Sequence, residues 1–150
     1  MPRTYSQILF HIVFSTKCRR AFITPEIQPR LYAYIGGIVR AEKGTLQAIG
    51  GMPDHVHMLL RWRADEALTT LMRTVKARSS LWVHQTYPES VTFAWQEGYG
   101  AFSVSKSIEP DLKDYIARQA EHHRKNDFKD ELLGLLTAHG VEFDARYVFD

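Results

Sequence analysis

Two histidines separated by one residue, His55 and His57, form the first group that could do chemistry. They open an apolar run from 55 to 62 that is typical of a β-strand. Side chains alternate along a strand, so both imidazoles should point to one face, with Cα atoms about 6.6 Å apart. That spacing allows two ring nitrogens to share one metal ion. Two solvent-exposed histidines on a half-buried strand would give the same triplet, and this alternative stays open.

A tyrosine and a glutamine four residues apart, Tyr115 and Gln119, form the second group. In a helix this spacing makes them neighbours on one face. A tyrosine hydroxyl can attack a phosphate, and a glutamine carbonyl oxygen can bind a hard cation. The alternative is an amphipathic helix in which Tyr115 simply packs beside Leu112 and Ile116.

His55, His57 and Gln119 together make an incomplete metal coordination shell, which leaves positions for phosphate oxygens and water. Such a site suits Mg²⁺ or Mn²⁺ acting as a Lewis acid on a phosphodiester. Imidazole ligands favour Mn²⁺ in vitro. A closed zinc site is less favoured because four protein ligands are not visible, and Cys18 is the single cysteine.

The apolar periodicity predicts the elements that position these residues, in the order β-α-β-β-α-β-β-α-α. The predicted strands are 5–15, 45–49, 55–62, 91–96 and 99–104. One helix is predicted at 25–42 with Thr24 as its cap, and a second helix begins after its cap, Asp65. Two further helices are predicted at 110–125 and 129–138. In the third strand, Val56, Met58, Leu60 and Trp62 would face the core. The expected fold class is α+β: a ferredoxin-like antiparallel sheet with helices on one face and the other face open for a partner.

Length and composition predict a single domain over residues 1–150. Hydrophobic residues make up 45% of the chain and the formal net charge is +2, a balance that permits a nucleic-acid partner without requiring one. No apolar run is long enough for a membrane span. The chain starts directly on a strand-like pattern without a secretory signal, which favours a cytoplasmic location.

Basic residues cluster in three places and could contact DNA phosphates, although a solvated charged surface would give the same pattern. These residues are Lys17, Arg19, Arg20, Arg73, Lys76, Arg78 and Arg124, with Lys125 beside the last. Four aromatic residues could stack on unpaired bases but fit equally well in a core: Trp62, Trp95, Tyr99 and Phe102. His122 and His123 could touch DNA or buffer charge near the site, but an ordinary helix-end role is expected for them.

The segment Gly51–Leu59, with the sequence GMPDHVHML, resembles the HUH motif of the single-tyrosine insertion-sequence transposases, which include the REP-associated tyrosine transposases. Residues 115–123, YIARQAEHH, resemble the nucleophile helix of that family. The resemblance continues through 10–17, 95–102 and 139–147 and so covers nearly the whole chain. The histidine triplet is weak evidence alone, but its combination with this Tyr/Gln pair is specific.

The resemblance implies a transposase that cleaves and rejoins single-stranded DNA at hairpin-flanked ends. Tyr115 would form a 5′-phosphotyrosine intermediate, and His55, His57 and Gln119 would hold Mg²⁺ or Mn²⁺. It also implies a homodimer whose active sites are shared between subunits. Two alternatives remain: a resident REP-associated enzyme that acts on genomic palindromes, and a non-catalytic nucleic-acid-binding module on a ferredoxin-like sheet.

Overall fold

The structure is a computed structural model that describes residues 4–123 and 127–149, with His122 described by its backbone alone. The strands are β1 (Ile8–Ser15), β2 (Thr45–Met52), β3 (His55–Trp62) and β4 (Gly100–Val104). The helices are α1 (Gln28–Ala41), α2 (Leu68–Thr86), α3 (Glu109–Ala117), α4 (Gln119–His122) and α5 (Phe128–Ala138). Single 3₁₀ turns lie at Lys17–Arg19, Pro88–Ser90 and Lys106–Ile108.

The four strands form one antiparallel sheet in the order β2-β3-β1-β4, so β1 and β3 are central. The predicted α+β class with an antiparallel sheet of ferredoxin-like order is confirmed. In the central pair, Val13 lies opposite His57 and Ser15 lies opposite His55. This register places both histidines beside the end of β1.

The first face of the sheet is covered by α1 and α2, as predicted. Alternate residues of β1 and β3 pack there with Leu31 and Ile35 of α1 and with Leu71 and Val75 of α2. The four residues predicted to face this core are at most 4% exposed: Val56, Met58, Leu60 and Trp62. This face holds the main hydrophobic core of the described residues.

The second face of the sheet carries α3, α4 and α5, so the expectation of an open face is wrong. Ile116 of α3 packs on Leu9 and Leu59, and α5 packs on Val13 and Phe102. The physical reason is that the central strands carry apolar side chains on both faces. Burying the side chains on the second face requires helices that cover them.

Smaller differences concern one strand and two helix starts. The strand predicted over residues 91–96 is absent: Trp95 makes only an isolated bridge with Thr16. The Thr24 hydroxyl accepts a hydrogen bond from the Ile27 amide, but the regular helix begins at Gln28. Asp65 pairs with Arg63 instead of capping α2. None of the helices in the described parts of the chain is long and apolar enough to cross a membrane.

Candidate active site

His55 and His57 point from β3 to the second face of the sheet, and both are fully buried. This excludes the alternative of two solvent-exposed histidines. The two rings meet edge to face with centroids 5.1 Å apart. A buried imidazole is costly unless its nitrogens have partners, so those partners indicate what each ring can do.

One nitrogen of each imidazole is held by a neighbouring side chain. His55 Nδ1 lies 2.7 Å from Asp54 Oδ1, and His57 Nδ1 lies 2.8 Å from His11 Nε2. Burial by itself lowers the pKa of His55, but its hydrogen bonds to Asp54 and Glu131 raise that pKa to about 9. Burial and then the nearby His57 ring lower the pKa of His11 to about 3. The Nε2 atoms of His55 and His57 therefore face the helices that cover the second face of the sheet.

Tyr115 and Gln119 come from two helices instead of the single predicted one. The helix breaks at Arg118, where φ is −105° and ψ is 31°. Gln119 is nevertheless 2% exposed, and its Oε1 lies 3.1 Å from His55 Nε2. The Tyr115 ring centroid lies 5.9 Å from that of His57. The structure thus brings together all four residues that the sequence singled out.

Gly50 allows α3 to approach the sheet closely enough to bring Tyr115 to the site. It lies opposite His57 in the β2–β3 ladder. A Cβ atom at this position would lie 2.3 Å from the Ile116 carbonyl oxygen. That separation is too short for any side chain, so only glycine fits beneath this part of α3.

Glu131 of α5 lies at the centre of the site, and the sequence interpretation missed it. Its side chain is 6% exposed, and Oε1 lies 2.8 Å from His57 Nε2 and 3.3 Å from His55 Nε2. The Tyr115 hydroxyl donates to Oε2. Burial and then the Glu131 carboxylate raise the pKa of Tyr115 above its ordinary value. His123 lies at the end of α4, as predicted, and its Nε2 is 3.2 Å from Glu131 Oε1, so it also belongs to the site.

A sequence signal for Glu131 exists in the pattern of α5. Phe128, Leu132 and Leu135 follow the i, i+4, i+7 spacing of an apolar helix face, and all three pack in the cluster that covers the sheet. Glu131 stands at i+3 on this same face. A carboxylate within an apolar stripe requires a buried partner, and that requirement could have marked the residue.

A cavity of about 650 Å³ opens beside Tyr115, between β4, α3 and α5. Its lining includes three carboxylates, Asp111, Asp130 and Glu131, and holds no lysine or arginine among the described residues. A phosphate that approached Tyr115 through this cavity would meet negative charge. A cation in the site would offset that repulsion.

The described basic residues that were predicted to contact DNA lie outside this cavity. Lys17 and Arg20 are exposed just after β1, while Arg73 and Arg78 are exposed on α2, which covers the opposite face of the sheet. Arg19 is partly buried, with its guanidinium over the Phe149 ring. The Lys76 ammonium donates to the carbonyls of Gln96 and Gly98, which gives it a structural role. Arg124 and Lys125 lie outside the described residues.

The aromatic residues proposed for base stacking fall into two groups. Trp62 and Phe102 are 4% and 3% exposed and belong to the hydrophobic clusters. Trp95 and Tyr99 are partly buried against the main core. The rings of Trp62 and Phe102 are therefore too buried to stack on an unpaired base.

The sequence matches the family model described as "Transposase IS200 like" over residues 4–119. The match ends at Gln119, so it contains the two histidines and Tyr115 but not Glu131. Over 118 residues the chain is 23% identical to the ISDra2 transposase TnpA of Deinococcus radiodurans, covering 75% of this chain and 84% of the relative. Over 124 residues it is 24% identical to the IS200 transposase of Salmonella typhimurium, covering 79% and 80%.

Two solved structures share the fold. One, from Deinococcus radiodurans and described as a transposase, has a TM-score of 0.67 and 21% identity, covering 79% of this chain and 95% of the other. The second is a REP-associated tyrosine transposase bound to a REP hairpin, with a TM-score of 0.61 and 18% identity, covering 82% and 73%. The family match extends over most of the chain and includes His55, His57, Tyr115 and Gln119. The chain therefore belongs to the family of IS200-like transposases.

Proposed function

We propose that this transposase cleaves and rejoins single-stranded DNA through a covalent bond between Tyr115 and a 5′-phosphate, with Mg²⁺ or Mn²⁺ held by His55, His57 and Gln119. The observation that carries the proposal is the convergence of these four side chains, which come from one strand and two helices.

The donor atoms fit a divalent cation. His55, His57 and Glu131 each offer one ligand atom within 4.8 Å of the other two, and Gln119 Oε1 is 3.1 Å from His55 Nε2. Metal-binding histidines usually donate their second N–H to a fixed acceptor. His55 has Asp54 in that position, and His57 has His11. Both imidazoles are thus oriented with Nε2 toward the shared space.

The proposed step is a transesterification. The Tyr115 oxygen bonds to phosphorus, the bond from phosphorus to the 3′ oxygen breaks, and that oxygen leaves as a 3′-hydroxyl. The proton lost by the tyrosine balances the proton gained by the leaving oxygen. A bound cation would act as a Lewis acid on the phosphate. The phosphodiester energy is kept in the phosphotyrosine bond, so a 3′-hydroxyl of another strand can reverse the step without ATP.

Single-stranded DNA that carries a hairpin is the proposed substrate, and a homodimer is the proposed assembly. One of the structures with the same fold is bound to a REP hairpin, which supports the choice of substrate. The homodimer and the sharing of its sites between subunits follow from the resemblance alone. A resident enzyme that acts on genomic palindromes would use the same chemistry.

The decisive experiment compares Tyr115→Phe with the wild type on labelled single-stranded hairpin DNA in a denaturing gel. Loss of one hydroxyl should abolish the covalent adduct while folding and DNA binding persist. Tyr99→Phe is the matched control, because its hydroxyl bonds to Thr69 away from the site. An adduct formed by Tyr115→Phe would show that the nucleophile is assigned wrongly.

Two further conditions in the same gel test the rest of the proposal. EDTA should stop cleavage, and full activity in its presence would remove the metal from the proposed reaction. Perfect duplex DNA of the same sequence should be cut poorly, and equal cutting would contradict the single-stranded substrate. A protein that binds DNA but never cuts it would be the non-catalytic module.

A further inference from the structure

The two carboxylate oxygens of Glu131 face different parts of the active site. Oε1 faces the imidazoles, at 2.8 Å from His57 Nε2 and 3.3 Å from His55 Nε2. Oε2 faces the nucleophile: it accepts from the Tyr115 hydroxyl and lies 3.4 Å from Gln119 Nε2. One side chain therefore connects the predicted metal ligands to the predicted nucleophile.

The position of Glu131 is fixed by the packing of its helix. Phe128, one turn earlier in α5, is 5% exposed and stacks on the His55 ring with centroids 4.4 Å apart. Leu136 and Leu132 hold the same helix against Phe102 of β4. These contacts place the carboxylate over the histidines, where it is 6% exposed. A buried carboxylate is costly unless it is paired, so this placement requires the partners that the site supplies.

The chemistry of the cation gives Glu131 a further role. Mg²⁺ in proteins is usually bound through one or two carboxylates, with water and substrate oxygens completing its shell. Two imidazoles and one amide oxygen lack such a ligand. Among the described residues, Glu131 supplies the carboxylate that lies against both histidine nitrogens.

We propose that Glu131 is a fourth protein ligand of the divalent ion and that its second oxygen holds the Tyr115 hydroxyl beside that ion. This inference rests on the proposed function, because it assigns a ligand to the same metal. It adds a residue outside the family match, which ends at residue 119. A shared carboxylate would fix the distance between the nucleophile and the metal before DNA binds.

A competing role for the same geometry makes the opposite prediction. The Glu131 carboxylate lies between the histidines and Tyr115, and an oxygen of the scissile phosphate could instead bind at this position. In that case Glu131 blocks the site, and its neutralisation would accelerate cleavage without weakening the metal. The sign of the change in cleavage therefore separates the two roles.

The test measures Mn²⁺ binding to wild type, Glu131→Gln and Asp130→Asn by electron paramagnetic resonance. Glutamine keeps the shape of the side chain and removes its charge. Asp130 is the matched control, since it is the adjacent carboxylate in the same cavity lining. Glu131→Gln should weaken Mn²⁺ binding at least about tenfold, because even loss of an outer-shell partner costs about 10–100-fold. Asp130→Asn should change it less than about twofold, as expected for screened surface charge.

Two other measurements distinguish the loss of a metal ligand from a loss of folding. The rise in Tm on addition of Mn²⁺ compares each variant with its own metal-free form, and Glu131→Gln should lose most of that rise. Adduct formation at saturating Mn²⁺ should also fall in Glu131→Gln. Wild-type Mn²⁺ affinity in Glu131→Gln, or faster cleavage, would overturn the inference and leave the proposed function intact. A wild type that binds no Mn²⁺ would overturn both.

Discussion

The two faces of the sheet bury their side chains to a similar extent but bury different kinds of atoms. Between the sheet and α1 and α2 the core is almost entirely hydrocarbon. Beneath α3, α4 and α5, two small apolar clusters flank a group of buried polar side chains: His11, His55, His57, Gln119 and Glu131. Burying polar groups reduces the stability gained from burial unless they are paired. The first face therefore supplies stability, and the second gives up part of it to hold a reactive site.

The largest expected contrast lies between two neighbours on β3. His57 and Met58 are both fully buried, but they point to opposite faces. His57→Ala should abolish metal binding and reduce cleavage to background, since it removes a proposed ligand. Met58→Ala should lower the free energy of unfolding by about 2–5 kcal/mol, as expected for a large-to-small change in a core. Its cleavage rate should stay near wild type at temperatures where it is folded.

Thermal unfolding and the DNA gel, run on both variants, check this contrast. Loss of cleavage by fully folded Met58→Ala would contradict this expected difference, because the first face would then contribute to the chemistry. Wild-type Mn²⁺ affinity in His57→Ala would also contradict it. Either result would show that the division between the two faces is incomplete.

Two glycines extend the contrast from side chains to the backbone. Gly50→Ala should lower the free energy of unfolding by about 1–3 kcal/mol, as overpacking does, and should slow cleavage by displacing α3 and Tyr115. Gly37 lies exposed in α1, and a Cβ atom there would meet nothing within 4 Å. Gly37→Ala should raise the free energy of unfolding by about 0.5–1 kcal/mol, because glycine is unfavourable within helices. Chemical denaturation of both variants would measure this difference, and a Gly50→Ala variant with normal stability and cleavage would contradict it.

Local patterns predicted the first face and the helices over 110–125 and 129–138 from the sequence, but not that these helices cover the second face. Alternation along residues 55–62 was enough to separate His55 and His57 from Met58 and Leu60. The break at Arg118 was not predictable, because the sequence over 110–125 reads as one helix. Glu131 was also missed, since its partners lie 74 and 76 positions away and meet it only through the packing of α5. Contacts between distant segments are the part that periodicity alone does not define.

A smaller effect is expected at His11, which supports the site without touching the proposed metal. If His57 Nε2 binds the ion, then His57 Nδ1 carries hydrogen and His11 Nε2 must accept it across 2.8 Å. His11→Leu removes the acceptor and should weaken Mn²⁺ binding about 10–100-fold. His11→Gln can place an amide oxygen at a similar reach and should recover most of that affinity. Metal titrations of the two variants would test this, and equal affinities would show that His11 only fills space.

The smallest expected signal concerns the site sharing that the resemblance implies. In the structure one chain brings Tyr115 to His57 and Glu131, and a dimer that kept this arrangement would not share its sites. A mixture of His57→Ala and Tyr115→Phe subunits should then stay inactive, because every site keeps one lesion however the subunits pair. Sharing would instead give each heterodimer one intact site and one site with both lesions. Heterodimers isolated through two different tags and tested for adduct formation distinguish these arrangements. More adduct than either variant forms alone would establish shared sites, and α3 and α5 would then have to reach a partner. The absence of any dimer would contradict the proposed assembly itself.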